Sequence, residues 1–324
     1  MCKVIHTEKI DVLFPWGTSR RYNSYADFLR KTFGGRVQKI SIDAGFTCPN
    51  RDGTKGTGGC IFCDNRAFSP PYCDPDKSVT RQLKEGIAFF RKRYRKIKGY
   101  LAYFQTFSGS YADIGKLQEI YHEALAYPGV KGIIIGTRPD CINMEKIELL
   151  SRLKEKYFIA IEYGIESCYD RTLNKINRGH TFSDSVKAIQ MTSQANIYTT
   201  AHLIFGLPGE TTEDMLKEAE IISELPLNSI KFHQLQIIKG TDAERQYMEN
   251  PGELKLFTAG EYIEFIIAFL EHLNPRIAIE RFTGEVPAEM LAVSPWNNTP
   301  SEFINSGIEK RMEQLNTWQG RLLK

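Results

Sequence analysis

No stretch of this sequence approaches the roughly 20 consecutive apolar residues that a helix needs to cross a bilayer, so no transmembrane anchor is expected. The opening residues, Met1-Cys2-Lys3-Val4-Ile5-His6-Thr7-Glu8-Lys9, lack the apolar core of a secretory signal. There is no low-complexity linker, and no internal repeat beyond an alternation of strand-like and helix-like segments. Hydrophobic residues make up 42% of the chain and charged residues 25%, which excludes fibrous and disordered classes and supplies enough apolar surface for a full core. Seven cysteines is an odd number, and without a signal peptide a disulfide framework explains them poorly. A reducing compartment, and hence a cytoplasmic location, is the expectation. Net charge is also scarce, at +3, but that figure hides a split. Residues 1–100 hold 20 Lys and Arg against 9 Asp and Glu, a surplus of +11, while the remainder holds 22 against 30, or −8.

The 324 residues suit one large α/β barrel with additions, or two domains. Apolar runs of strand length recur at 39–43, 100–104, 130–136, 157–163, 197–205 and 230–238, each followed by a helical pattern. Ile147, Leu150 and Leu153 form one such pattern, and Met215, Ala219, Ile222 and Leu225 another. Thr211 followed by Asp214 predicts a helix start just after the Gly206-Leu207-Pro208-Gly209 turn. This alternation predicts a parallel sheet with right-handed crossovers, either an open doubly wound sheet or a full or partial barrel. Both architectures place function at the carboxyl ends of the strands. The predicted ends carry Cys48; Gln105 and Thr106; Thr137 and Arg138; Glu162 and Glu166; His202; and His233 with Gln234. After residue 238 the pattern becomes a long amphipathic helix through Tyr262, Phe265, Ile266, Phe269 and Leu270, predicting a helical C-terminal addition. The chain divides into an N-terminal extension (1–37), a core (38–250) and a C-terminal helical region (251–324).

The strongest chemical signal is Cys48, Cys60 and Cys63, directly after the first strand. Two thiolates two residues apart can grip one metal centre, and a third returns from the loop. Glycines 53, 56, 58 and 59 let that loop fold tightly and aim backbone amides at the sulfurs. Three readings stay open: a structural zinc with Cys73 as a fourth ligand, an iron–sulfur cluster with one iron left open, and three buried cysteines without metal. Cys2, Cys73, Cys141 and Cys168 lack such spacing and read as small hydrophobes or bystanders.

From Arg21-Tyr22-Asn23 through Cys63 the sequence resembles the radical S-adenosylmethionine (radical SAM) enzymes, in the branch related to the catalytic subunit of Elongator, and within it a group of uncharacterised bacterial proteins of about this length. The likeness extends over nearly the whole chain. It is carried by the cysteine loop, Tyr103-Phe104-Gln105, Gly136-Thr137-Arg138-Pro139-Asp140, Glu162-Tyr163-Gly164-Ile165-Glu166, Asn177-Arg178-Gly179-His180 and the run from His202 to Glu210. The resemblance implies a partial (β/α)6 TIM-like radical SAM barrel in which Cys48, Cys60 and Cys63 hold a 4Fe-4S cluster whose open iron binds S-adenosylmethionine. It further implies an electron from a flavodoxin or ferredoxin-type donor, and a 5′-deoxyadenosyl radical that takes hydrogen from substrate. Gln105, Thr106, Ser108, Thr137, Glu162, Glu166, Arg178 and His202 become candidate S-adenosylmethionine contacts. Among them Arg178 matches an arginine that can pair with the methionine carboxylate, and His202 a position facing adenosine. Here Phe107-Ser108-Gly109-Ser110 replaces the family's Gly-Gly-Glu.

Residues 91–98 hold six cations in eight positions, more than helix capping requires. With Arg20, Arg21, Arg30, Lys31, Arg36, Lys39, Arg51 and Lys55 they would suit a phosphate-rich partner, with Tyr22, Tyr94 or Tyr111 to stack on bases. The Elongator likeness points the same way, to tRNA. Elongator's acetyl-CoA-using domain follows its radical domain, and the short 251–324 segment does not match it, so acetyl transfer is not carried over. A zinc-stabilised RNA-binding protein without catalysis, and a radical enzyme acting on a small molecule, are the alternatives.

Overall fold

A computed structural model describes residues 13–94, 96–296 and 299–323; Cys2 and Arg95 lie outside the described residues. Helix α1 (Tyr25–Phe33) precedes strand β1 (Val37–Ile42), and a long loop then leads to α2 (Val79–Arg91) and β2 (Gly99–Phe104). The alternation continues through α3 (Ile114–Ala126), β3 (Val130–Thr137), α4 (Met144–Lys154) and β4 (Phe158–Glu166). Two helices, α5 (Asp170–Lys175) and α6 (Phe182–Gln194), separate β4 from β5 (Tyr198–Phe205). Then come α7 (Thr212–Ser223), β6 (Ser229–Gln234), α8 (Asp242–Glu249), α9 (Ala259–His272), β7 (Ala278–Arg281) and α10 (Ser301–Gln314). The seven strands lie side by side in chain order, every neighbouring pair parallel, in a curled half-barrel.

The predicted α/β half-barrel and its first six strands are therefore present, and the capping box of Thr211 and Asp214 starts α7 where the sequence placed it. The C-terminal segment is largely helical, as expected, and Ala278–Arg281 within it adds a seventh strand beside β6. Strand β5 ends at Phe205 as predicted, while β4 runs past the predicted end at 163 to Glu166. Glu162 and His202, read as strand-end residues, therefore sit within their strands.

Alternation along each strand sorts side chains into an outer face under the helices and an inner face. Outside, Phe205, Phe232 and Phe269 are fully buried between sheet and α9. Inside, α1 plugs the amino end: Tyr25 and Leu29 pack with Leu101, Ile134, Ala160 and Ala278. Above that apolar plug lies an ionic layer. Glu162 Oε1 accepts from Lys39 Nζ at 2.7 Å, while its Oε2 meets Lys231 Nζ at 2.5 Å and His202 Nε2 at 3.2 Å. Glu280 closes the ring against Lys39 at 2.5 Å and Lys231 at 3.0 Å, and Tyr103 Oη sits 3.2 Å from Lys231 Nζ.

Behind the Gly206–Gly209 turn two acids are buried together. Glu218 accepts from the Cys168 backbone N–H at 2.6 Å and Glu210 from the Ser167 hydroxyl, leaving one oxygen of each carboxyl without a partner among the described residues. Burial, reinforced for Glu218 by the neighbouring Glu210, raises both pKa values. A carboxyl raised in the folded state stabilises it below the unfolded value of about 4.3 and loses that contribution as pH rises through the folded pKa. Glu218→Gln should therefore flatten the fall of the melting temperature as pH rises above about 4.3. Wild-type and variant melting temperatures that run parallel from about pH 4 to pH 9 would contradict this.

Candidate functional site

The loop from residue 43 to residue 78 leaves the carboxyl end of β1 and carries Cys48, Cys60 and Cys63. Its fold is fixed mainly by backbone bonds. The N–H groups of Arg51 and Asp52 return to the Cys48 carbonyl at 2.8 and 3.1 Å, Gly59 donates to Asn50 O at 2.9 Å, and Cys63 donates to Cys60 O at 3.0 Å. The α5–α6 connection grips the same loop from outside. Ile61 N donates to Ile176 O at 3.1 Å, Asn177 Nδ2 donates to Gly59 O at 2.8 Å, and Asn50 Nδ2 donates to Asn177 O. Asn177 holds this bend with φ 52°, a left-handed conformation that asparagine tolerates better than most residues.

Two buried guanidinium groups face the thiols. Arg178 directs Nη1 to Cys60 Sγ at 3.4 Å, Nε to His180 Nε2 at 3.0 Å, and Nη2 to the Gly164 carbonyl at 2.6 Å and to Glu166 at 3.2 Å. Arg138 places Nη1 4.0 Å from Cys48 Sγ and 2.7 Å from Arg178 O, and clasps Asp140 with two bonds of 2.9 Å. Burial disfavours the Arg178 charge, but Cys60 and Glu166 beside it outweigh that and hold it protonated. Burial pushes His180 down to about 3, helped by Arg178, so the imidazole is neutral and its Nε2 accepts a hydrogen bond from the Arg178 Nε–H. Burial would raise Asp140, yet the Arg138 fork and Lys55 prevail and bring it to about 2. Positive charge beside cysteine favours the thiolate, the form that ligates metal.

A register shift between Gly164 and Glu166 in the β4–β5 pairing gives Glu166 a φ of 70°, and its carboxylate meets Arg178. Position 164 has to be glycine. A Cβ there would lie 2.4 Å from Glu166 Oε1 and 2.6 Å from Arg178 Nη2, pushing apart the pair that backs Cys60. Gly164→Ala should cost about 1–3 kcal/mol through overpacking and lower the metal content of the purified protein. Unchanged stability with unchanged metal content would contradict that role.

The structure separates the remaining candidates. Thr106 lines an open cavity of about 1100 Å³ together with Cys60, Cys63 and Cys73. Gln105, beside it, faces a second cavity. Ser108 and Thr137 bond each other at 2.7 Å, and Ser110 joins them at 2.6 Å; these buried hydroxyls lock the loop after β2 to the end of β3. Glu162 and His202 belong to the ionic layer, deeper than the strand ends. Sequence reading missed Asn50 and Arg51 as loop anchors, and the Lys39, Lys231 and Glu280 ring. A lysine flanked by isoleucine or other strand-forming residues within a predicted strand was the available signal for Lys39 and Lys231.

Among the described residues no three His, Cys, Asp or Glu side chains converge as ligands of one ion. A zinc ion needs four ligands, with sulfurs about 2.3 Å away from it, whereas a cluster distributes its cysteines over separate irons. Cys73 is engaged elsewhere, donating to Ser41 O at 3.3 Å, with burial lifting its thiol to about 12. Three cysteines on a tied loop, with buried guanidinium groups beside Cys48 and Cys60 and with Cys60 and Cys63 opening to a cavity, suit an anionic cluster with one open iron.

The stacking residues proposed for RNA fare unevenly. Tyr22 is buried and bonds Glu309 at 2.9 Å, and Tyr94 lies under Arg36, so neither ring is free on both faces. Lys39 is inside the barrel. The described cations of 91–98 precede β2, at the amino ends of the strands and opposite the cysteine loop.

The chain matches the model of the Radical SAM superfamily over residues 51–222 and that of the Radical_SAM C-terminal domain over 227–314. Cys48 lies just before the first span. It is 31% identical to the uncharacterized protein YtqA of Bacillus subtilis over 312 residues, covering 96% of each chain. It is 25% identical over 183 residues to a tRNA uridine(34) acetyltransferase of Methanocaldococcus infernus, covering 55% of this chain and 33% of that one. The structure of archaeal Elp3 from the same organism superposes with a TM-score of 0.65 at 18% identity, over 87% of this chain and 64% of that chain, which shows a shared fold.

Proposed function

The chain belongs to the radical SAM superfamily, and from that premise we propose that Cys48, Cys60 and Cys63 hold a 4Fe-4S cluster with S-adenosylmethionine on its open iron. The observation that carries this reading is the buried Arg178 with an N–H on Cys60 Sγ. When bound and reduced, the cluster supplies the electron that cleaves S-adenosylmethionine to methionine and a 5′-deoxyadenosyl radical.

The protein's own part is placement. Arg178 and Arg138 offset the negative charge of the thiolates, and the asparagine ties keep the loop from opening. Thr106 faces the cysteine cavity and is the strand-end group best placed to orient S-adenosylmethionine. Ser108 and Thr137 act through the backbone they fix. A flavodoxin or ferredoxin-type donor supplies the electron. Metal analysis of protein purified without oxygen separates the readings: about four irons per chain supports the cluster, and stoichiometric zinc without iron supports the RNA-binding alternative.

For the substrate, we propose a nucleotide of tRNA. Its support is the 25% identical tRNA uridine(34) acetyltransferase of Methanocaldococcus infernus. Modified nucleosides in tRNA from cells with and without the protein should differ at one nucleoside; identical profiles would defeat the tRNA reading. Binding of bulk tRNA should weaken steeply between low and moderate salt, since phosphate contacts release counterions.

A further inference from the structure

We propose that the second cavity is the substrate chamber and that Arg281 at its wall binds an oxyanion, phosphate or carboxylate, on a nucleotide-sized organic molecule. This rests on the radical reading for the chemistry but not for the binding. The cavity measures about 710 Å³, within the range of small-ligand sites. It adjoins the cysteine-lined cavity: Ser69 borders both, and the Gln105–Thr106 pair is divided between them. Its walls include Phe68, Phe89, Val286 and Trp296, apolar and aromatic surface suited to a flat ring.

Arg281 is turned inward by a bulge. Ile230 pairs with Ile279 but Lys231 pairs with Arg281, so β7 carries one extra residue, and both Glu280 and Arg281 reach groups on the inner face. Glu280 meets Lys39 and Lys231 through Oε1, and its Oε2 is buried without a partner among the described residues. Arg281 has no carboxylate partner among the described residues; its one recorded contact is Nη2 donating to the His233 ring, and Nε is buried without a partner. Burial keeps both His202 and His233 neutral. The interior therefore holds three cations, Lys39, Lys231 and Arg281, against two carboxylates, Glu162 and Glu280. That inner layer carries one surplus positive charge, Arg281; the carboxylate on the cavity wall, Glu285, bonds Ser301 and, among the described residues, does not pair with Arg281, so the planar fork of the arginine suits a further carboxylate or phosphate. Gln236 adds a carboxamide to the same wall, and Gln234 pins the neighbouring loop through two 3.0 Å bonds to the backbone of Gly284.

The test is titration calorimetry on the reconstituted protein, without oxygen, at fixed ionic strength and with saturating S-adenosylmethionine. The probes are uridine 5′-monophosphate, uridine and benzoate, and the proteins are wild type, Arg281→Gln, Arg281→Lys and Gln236→Glu. At least one anion should bind tenfold or more tightly than uridine. Arg281→Gln should abolish that preference, Arg281→Lys should keep part of it, and Gln236→Glu, which offers Arg281 an internal carboxylate, should weaken anion binding without altering uridine. A stronger response to the monophosphate assigns phosphate, and to benzoate carboxylate. Equal binding of uridine and both anions, no anion binding, or anion binding by Arg281→Gln as in wild type overturns the site. Formation of 5′-deoxyadenosine is followed in parallel. Arg281-dependent binding without it would defeat the radical reading alone, and its formation without Arg281-dependent binding would defeat the anion site alone.

Discussion

Replacing Glu162 by alanine is expected to destabilise the folded chain by about 3–5 kcal/mol, the usual cost of removing one partner from a buried ion pair. Glu162 is 1% exposed and bonds Lys39, Lys231 and His202. Without it the buried Lys231 and the half-buried Lys39 share the single carboxylate of Glu280, and desolvation that was offset becomes a net penalty. Burial alone would raise the Glu162 pKa, yet Lys231 and Lys39 hold it well below the usual carboxylate range, so the group is charged throughout the neutral range. The paired replacement Glu162→Met with Lys231→Met should recover much of the loss, since it removes one charge of each sign and leaves Lys39 with Glu280. Urea unfolding of the three proteins measures this. A single variant within about 1 kcal/mol of wild type, as surface pairs behave, would show the layer to be hydrated rather than sealed.

The second large effect concerns the cysteines. Cys48→Ala, Cys60→Ala and Cys63→Ala should each reduce iron from about four per chain to near none and abolish S-adenosylmethionine cleavage. Cys73→Ala should retain both. The contrast is demanding because Cys73 borders the same cavity as Cys60 and Cys63. What distinguishes it is its bond to the Ser41 carbonyl and, among the described residues, the absence of a guanidinium on its sulfur, where Cys60 has Arg178, Cys48 has Arg138 and Cys63 has Arg51 beside it. Loss of iron in Cys73→Ala, with iron kept in Cys48→Ala, would reassign the ligand set.

How much of this was legible beforehand differs by element. Six strands were found because each is an apolar run long enough to stand out, as in Ile133, Ile134 and Ile135 of β3. Strand β7 escaped because it is four residues long and half of it, Glu280 and Arg281, is charged. Those charges face a polar interior created by residues far away in the chain, which local pattern does not reveal. Glu162 and His202 were read as strand-end residues although the predicted runs 157–163 and 197–205 extend past both, and β4 continues through Gly164 to Glu166. Gly164 lies within the strand, serving close approach to Arg178. The grouping of Cys48, Cys60 and Cys63 on one loop was legible from their spacing, while the cluster proposed for them came from the family resemblance. The arginines behind them were legible only in part, since Arg138 reaches Cys48 from 90 positions away.

The central claim is that this chain uses the three cysteines to cleave S-adenosylmethionine by one-electron reduction. Its most direct test is to reconstitute the protein with iron and sulfide without oxygen, add S-adenosylmethionine and dithionite, and quantify 5′-deoxyadenosine. The account predicts its formation by wild type and none by Cys60→Ala. Absence of 5′-deoxyadenosine from a wild-type protein carrying about four irons, or equal amounts from both proteins, would contradict it.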